Sequence, residues 1–333
     1  MTKRTPAKQS ERGAALVTVL TMVAIMSALA VVAVDAAGMS VRRTFNQTRM
    51  EQTRWYLLGA EAFAIGKLED MRRAVREGAA ADGDWHGRMF SFPLDDGLMR
   101  IALYDGGNCF NLNSVVRQAE EAASTADAGG VMQFALLLDL LGVHSDRAAL
   151  GATLADWIDA DALPSPGGLE DGADRRGAPY RPANTLLADL SELRRVEGFS
   201  DEVIARIADH VCVRPTAAPN LLNPNTLAPS EAALLAMALP DIDIEQARGV
   251  IRDRPRGGWS DLDAFFSHPR LAGLELNELR RASFSLEPVY YVMIASVERE
   301  GGRETEAALI RMRPQGGGVV RRVFGVAAEG RVL

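Results

Sequence analysis

Residues 14–34 carry no charge, and only Thr18, Thr21 and Ser27 interrupt the apolar run. Twenty-one residues at about 1.5 Å each cover about 31 Å, the thickness of one hydrocarbon core. Beyond Asp35 the pattern turns one-sided. Apolar residues recur at helical spacing through Val41, Phe45, Trp55, Leu58, Phe63 and Leu68, to about Arg76. No proline falls between Ala14 and Gly87. The pattern predicts a single helix of about 60 residues, apolar all round in its first half and amphipathic in its second.

A loop at 78–88 follows, then two short alternating runs, Met89–Leu94 and Leu98–Tyr104, joined by Asp95-Asp96-Gly97 as a hairpin turn. From about 114 to 285 the periodicity is almost wholly helical. Val131–Leu141, Ser145–Ala160, Leu190–Val196, Ser200–Val213, Ser230–Leu239, Ile244–Asp253 and Leu262–Phe266 read as helices separated by Gly and Pro. Period two then returns in Pro288–Glu298, Glu304–Met312 and Val319–Ala327, with Gly301-Gly302 and Gly316-Gly317-Gly318 as turns between strands. Strands on both sides of a helical block of about 170 residues are most simply closed into one sheet. The expected fold is α+β: a long N-terminal helix packed on an antiparallel sheet, with a large all-α domain inserted between strands.

The length of 333 residues fits two folded units, and 47% hydrophobic with 24% charged residues excludes a disordered chain. A net charge of -7 argues against a protein whose task is coating nucleic acid. Two Cys and four His exclude a multi-cysteine zinc site and a disulfide-dense scaffold. Charge matters most at the N-terminus. Lys3, Arg4, Lys8 and Arg12 against Glu11 give +3 ahead of the apolar run, which places that end in the cytoplasm and the bulk of the chain across the membrane. A cleaved secretory signal would have a shorter apolar region. A plain signal anchor is the other simple reading.

The string Arg12-Gly13-Ala14-Ala15-Leu16 distinguishes a third reading. A short basic leader ending in Gly at the membrane edge, with a long half-amphipathic helix behind it, resembles the type IV prepilin-like proteins. The resemblance implies cleavage after Gly13 by a prepilin peptidase and methylation of the new N-terminus at Ala14. Most pilins carry Glu at the fifth mature position, where this chain has Thr18. The minor pseudopilin of the K type, from type II secretion systems, is the member known for lacking that Glu. It also has a pilin-like fold with a large helical insertion. The resemblance therefore divides the chain into a leader (1–13), a transmembrane part (14–34), a first pilin-like part (35–113), an inserted helical domain (114–286) and last pilin-like strands (287–333).

Cys109 and Cys212 flank much of the helical block. In an oxidising periplasm they are expected to form a disulfide; two buried free thiols are the alternative. The segment Asp156-Trp157-Ile158-Asp159-Ala160-Asp161, then Gly167-Gly168-Leu169-Glu170-Asp171, gathers carboxylates on a loop forced by Pro164 and Pro166. Hard oxygen ligands on a tight loop suit calcium; a solvated acidic loop is the bland reading. The string resembles the K-type pattern W-x-D-x-D … G-G-x-E-D, followed by a Tyr (here Tyr180), and that family binds calcium in its helical domain. The expected ligands are Asp159, Asp161, Glu170 and Asp171. Asp156 ranks lower because it lies a turn earlier, and Asp174 and Asn184 are further candidates.

Asn223-Pro224-Asn225-Thr226 and the helices after it resemble the opening of a helix-hairpin-helix module. Its hairpin position, Leu239-Pro240-Asp241-Ile242-Asp243, puts two acids where a phosphate would sit, so a helical packing unit is expected and no nucleic acid. His86, His144, His210 and His268 lie in unrelated contexts, and no acid–base or nucleophile set is present, so no enzyme is expected. The resemblance implies a non-enzymatic inner-membrane subunit with its globular part in the periplasm. It would join the I-type and J-type minor pseudopilins and the major pseudopilin, initiating and capping the pseudopilus. A minor pilin of a type IV pilus and a membrane-anchored DNA-uptake receptor are the rival functions.

Overall fold

A computed structural model describes residues 10–77, 85–118, 124–161, 163–168, 184–300 and 302–325, with side chains from Ala14 onward. The chain divides into two units, residues 1–56 and 57–333. Helix α1 (Ser10–Arg76) contributes to both. In the first unit every side chain from Ala14 to Thr48 is exposed, including the apolar residues of 14–34. An apolar surface this long and bare belongs in a non-aqueous surrounding or against other helices.

In the second unit the end of α1 buries Leu57, Ala60, Ala64 and Leu68, a stripe at helical spacing. This stripe lies on a five-stranded antiparallel sheet ordered β1-β2-β7-β8-β9, built from β1 (Met89–Leu94), β2 (Gly97–Asp105), β7 (Tyr290–Arg299), β8 (Gly302–Arg313) and β9 (Gly316–Phe324). Phe63 of α1 meets Phe90 and Phe92 of β1 edge-on, at centroid distances of 5.2 and 4.9 Å. β2 pairs along its whole length with β7, from Gly97 opposite Arg299 to Asp105 opposite Tyr291, so the chain leaves the sheet after Asp105 and returns at Tyr290. The expected Gly316–Gly318 turn is corrected here. Those glycines open β9 and pair with Arg313, Met312 and Arg311, because Pro314-Gln315 supplies the turn.

Between β2 and β7 lie the remaining helices: α2 (Ala128–Leu140), α3 (Arg147–Ile158), α4 (Asp201–Ile207), α5 (Ala232–Ala238), α6 (Ile244–Arg252), α7 (Leu262–Phe266) and α8 (Glu278–Arg281). Their apolar faces share one core, in which Phe110, Phe134 and Phe199 stack at 5.3 and 6.2 Å. Side-chain oxygens satisfy the helix starts: Asp127 accepts from Gly129 and Gly130 N–H, and Asp146 accepts from Ala149 N–H. The glycine at 130 lets α2 approach the segment before it, since a Cβ there would overlap the Ser114 carbonyl.

Two short strand pairs supplement the helices. β3 (Phe110–Asn111) runs parallel to β6 (Val211–Cys212), and β4 (Val116–Arg117) pairs with β5 (Thr125–Ala126). The first pair ends the helix expected over Ser200–Val213 at Ile207, because β-branched Val211 extends alongside Phe110 instead. Leu190–Arg195 forms a 3₁₀ run, closed by a capping box of Asp189 and Glu192.

Candidate functional site

Three places carry chemistry beyond packing: the start of α1, the junction between sheet and insertion, and the end of α3. At the first, Gly13 and Ala14 lie in the helical part of α1. The Thr18 hydroxyl donates to the carbonyls of Ala14 and Ala15, at 3.2 and 2.8 Å. It is satisfied inside its own helix and offers no charge outward. Among the described residues, α1 is the helix long and apolar enough to cross a membrane.

At the junction, Asp105 closes β2. Its Oδ1 accepts from Gly107 N–H at 2.7 Å, and its Oδ2 accepts from Asn223 Nδ2 at 2.9 Å and Thr226 Oγ1 at 2.7 Å. Asn108 adds bonds to Asn223 N–H (2.8 Å) and Thr226 (2.9 Å). The Asn-Pro-Asn-Thr string is therefore one part of the insertion that grips the sheet. Its second Asn also clamps Trp259: Asn225 Oδ1 accepts from Trp259 N–H at 2.6 Å, and Nδ2 donates to Trp259 carbonyl at 3.0 Å. Burial pushes the Asp105 carboxyl up to about 6, against the hydrogen bonds from Thr226, Gly107 and Asn223 and the charge of Arg214. Arg214, 1% exposed, donates to the Gly106 carbonyl and lies 5.2 Å over the Tyr290 ring. Burial lowers it to about 10. His86 accepts from Asp105 N–H at 3.0 Å through Nδ1, and burial, with Arg254 nearby, lowers it to about 4, so the ring is neutral at pH 7.

Cys109 and Cys212 form the expected disulfide, with Cα atoms 5.7 Å apart across 103 positions. It sits beside the same junction. The two Asn residues after Cys109 bind backbone rather than solvent. Asn113 pairs with both backbone groups of Leu187, at 2.8 and 3.0 Å, and Asn111 accepts from Arg214 N–H at 3.1 Å.

The third place is the loop after α3. Asp156 is fully buried and Asp159, the C-cap, is 1% exposed. Ser165 N–H donates to Asp156 Oδ1 at 3.0 Å, while Oδ2 has no hydrogen-bond partner among the described residues. A Cβ at Gly168 would overlap that oxygen, so only glycine lets the loop close over it. Asp161 Oδ1 accepts from Leu163 N–H at 2.8 Å, and Asn184, at φ 47°, donates to the Asp161 carbonyl at 3.4 Å. Glu170 and Asp171, and also Asp174 and Tyr180, lie outside the described residues. Among the described residues no three acidic, His or Cys side chains converge as a metal group. The donor set still fits a hard cation: a buried carboxylate with an unused oxygen is costly unless a positive charge meets it. Asp156, ranked lower from its helical position, carries that unused oxygen.

The hairpin acids have structural partners. Asp243 caps α6 by accepting from Gln246 N–H at 2.7 Å, and Asp241 pairs with Arg280. Sequence reasoning missed Asp105 and Arg214. It also missed Glu61, whose carboxylate binds Arg322 of β9 beside the buried Glu306 of β8. Burial and Glu61 push Glu306 up to about 8; Glu61 is lowered despite its burial by hydrogen bonds from Arg322 and Glu306. A charged residue at a position of the α1 core stripe was the available signal.

A membrane-length helix continuing onto an antiparallel sheet, with a helical domain inserted between strands, defines a pilin-type subunit. Family descriptions of type II secretion system protein K match residues 108–216 and 222–287. The chain is 34% identical to type II secretion system protein K of Pectobacterium carotovorum subsp. carotovorum, over 77% of this chain and 79% of that one. It is 30% identical to the Klebsiella pneumoniae protein of the same name, over 95% and 97%. A chain in the crystal structure of the GspK-GspI-GspJ complex from enterotoxigenic Escherichia coli superposes with a TM-score of 0.69 at 27% identity, covering 85% of this chain and 99% of that one. The chain belongs to the type II secretion system protein K family, a family of structural pseudopilins.

Proposed function

We propose that the protein is the K-type minor pseudopilin at the tip of a periplasmic pseudopilus. There it assembles with I-type and J-type minor pseudopilins and starts the fibre that exports folded proteins. The observation that carries this reading is the bare apolar surface of α1 beyond the 14–34 run: Val41, Phe45 and Trp55 fall on one side of the helix, Met39 and Met50 on the other, and all are exposed. So many large apolar side chains exposed along one helix mark a surface for partner helices to cover. The related chain occurs in a complex with GspI and GspJ, which supplies the kind of partner. Thr18 supports a terminal place, because its hydroxyl is bonded within α1 and brings no charge to a neighbour's N-terminus. The bulk of the insertion supports it too, by obstructing a further subunit above.

Processing belongs to the same proposal. The prepilin peptidase cuts after Gly13 and Ala14 is methylated, leaving α1 in the inner membrane and the globular part in the periplasm. A structural calcium ion is the further element. Asp156 and Asp159 would hold it from the end of α3, with Asp161 and the sequence-expected Glu170 and Asp171. It would supply positive charge to the buried carboxylates of Asp156 and Asp159.

The test is co-expression of the full chain with the I- and J-type subunits and with prepilin peptidase. Co-purification of all three, its loss on Phe45→Asp/Trp55→Asp, and a mature N-terminus at methylated Ala14 are expected. Purification of the chain alone, or a variant that still co-purifies, would sink the assembly role.

A further inference from the structure

The end of α1 and the β8–β9 hairpin enclose a cleft of about 180 Å³ between Glu69, Arg72, Arg73 and Arg76 on the helix and Arg313 and Gly316 on the hairpin. Four arginines line it in a protein of net charge -7. Two of them have acids elsewhere: Arg72 pairs with Glu287, and Arg73 with Asp70 at 3.3 Å. The wall acid, Glu69, accepts from Gly317 N–H at 3.2 Å. Arg76 and Arg313 have no acidic partner among the described residues.

The helix end explains part of this. Basic residues in a last turn offset the partial negative charge of the carbonyls there, which accounts for Arg73 and Arg76. It does not account for Arg313, which the hairpin brings in from a distant part of the chain. Uncompensated like charges at short range repel, and a cleft that gathers them is suited to an anion. The volume sets its size. About 180 Å³ lies below the roughly 300–1,000 Å³ of small-molecule sites. It suits one or two carboxylate-sized groups, and the guanidinium fork matches a carboxylate with two parallel hydrogen bonds.

We propose that this cleft is an anion subsite that receives the carboxylate side chains of an acidic segment on a partner protein, with Arg76 and Arg313 as the principal donors. That the source is another protein, rather than a free anion, rests on the assembly reading above. The four arginines would act as a docking point where the end of α1 meets the β8–β9 hairpin.

The experiment is calorimetric titration of the full-length chain in detergent, at low salt, with tetraglutamate and separately with inorganic phosphate. Three proteins are compared: the unaltered chain, Arg76→Gln/Arg313→Gln, and Arg256→Gln as an exposed arginine elsewhere. Tetraglutamate is expected to bind the unaltered chain and Arg256→Gln alike, and to bind the double variant at least roughly tenfold more weakly, since two charge-assisted bonds are lost. Molar salt should abolish the binding, and the melting midpoint of the double variant should stay within a degree or two, as for other surface changes. Equal affinity for all three proteins, or no binding of tetraglutamate to any, overturns the subsite. Tighter binding of phosphate than of tetraglutamate overturns the carboxylate as its occupant. Tetraglutamate binding does not depend on co-purification with the I- and J-type subunits, so this proposal and the assembly reading fail separately.

Discussion

A half-buried and a fully buried aspartate in this protein have opposite surroundings. Asp105, where the sheet meets the insertion, has both oxygens met by protein donors, from Gly107, Asn223 and Thr226, and has Arg214 nearby. Asp156, at the end of α3, has one oxygen met by Ser165 N–H and the other by no donor among the described residues. The same side chain is finished by the fold in one place and left open in the other. A closed polar cluster of this kind fixes the position of one domain on another without a ligand. An open one calls for an added cation. The junction should therefore respond to proton and redox chemistry, and the α3 loop to metal.

Breaking the disulfide should have the largest effect, and at the closed site. Cys109→Ser/Cys212→Ser releases a loop of 103 residues and is expected to destabilise by about 4–5 kcal/mol in the chain-entropy model. Calcium should not restore that loss. Chemical denaturation with and without reductant checks this, and an unchanged midpoint would deny the disulfide its role at the junction.

Next comes pH. The Asp105 carboxyl is raised from 3.8 to about 6 by burial. Between those values the folded state holds a proton that the unfolded chain has released. This contribution is thus fully present below about pH 4 and is lost as pH rises through 6, a change of about 3 kcal/mol. Asp105→Asn should flatten the stability curve in that window. A curve as steep as that of the unaltered chain would assign the slope to other groups.

Calcium should act only at the open site. At a concentration about a hundredfold above its Kd it would stabilise the chain by about 2.7 kcal/mol, and a chelator would remove the gain. Asp156→Asn should abolish the response without altering the pH slope of Asp105. A melting midpoint indifferent to calcium and chelator would refute the calcium site.

The smallest expected effect sharpens the closed side. Asn223→Ala removes one donor from Asp105 and leaves Asn225 N–H without its 2.9 Å acceptor, for a cost of about 2 kcal/mol. The calcium response should survive it. If Asn223→Ala also abolished that response, the two sites would be coupled and the contrast between them would fail.

Much of the fold was legible along the chain. The 14–34 run, the one-sided pattern through Leu68, the strand pairs around Asp95-Asp96 and the period-two return after Pro288 all follow from local spacing. The β8–β9 hairpin turn shifted by two residues to Pro314-Gln315, and elsewhere a distant partner decided the outcome. The helix expected to reach Val213 stops at Ile207 because Val211 and Cys212 pair with Phe110 and Asn111, about 100 positions earlier. The site was legible only in part. Cys109 and Cys212 could be paired from compartment and spacing, and Asp159 and Asp161 could be singled out as acids on a turn. The burial of Asp156 could not be read, because it depends on the loop through Gly168 folding back over α3.

The sequence by itself determined the periodicities, the caps, the membrane-length helix and the identity of the family, since each is written in residues near one another or in strings such as Trp157-Ile158-Asp159-Ala160-Asp161. Only the tertiary structure decided which charges are buried and what meets them. Asp105 looks like an ordinary strand-end acid until Asn223 and Thr226 close over it, and Glu61, though it falls on the core stripe of α1, shows its partners only when Arg322 and Glu306 are placed beside it. Spacing along the chain governs local hydrogen bonds and amphipathic faces. Desolvation and charge pairing depend on what lies within a few ångströms in space, and no local pattern contains that.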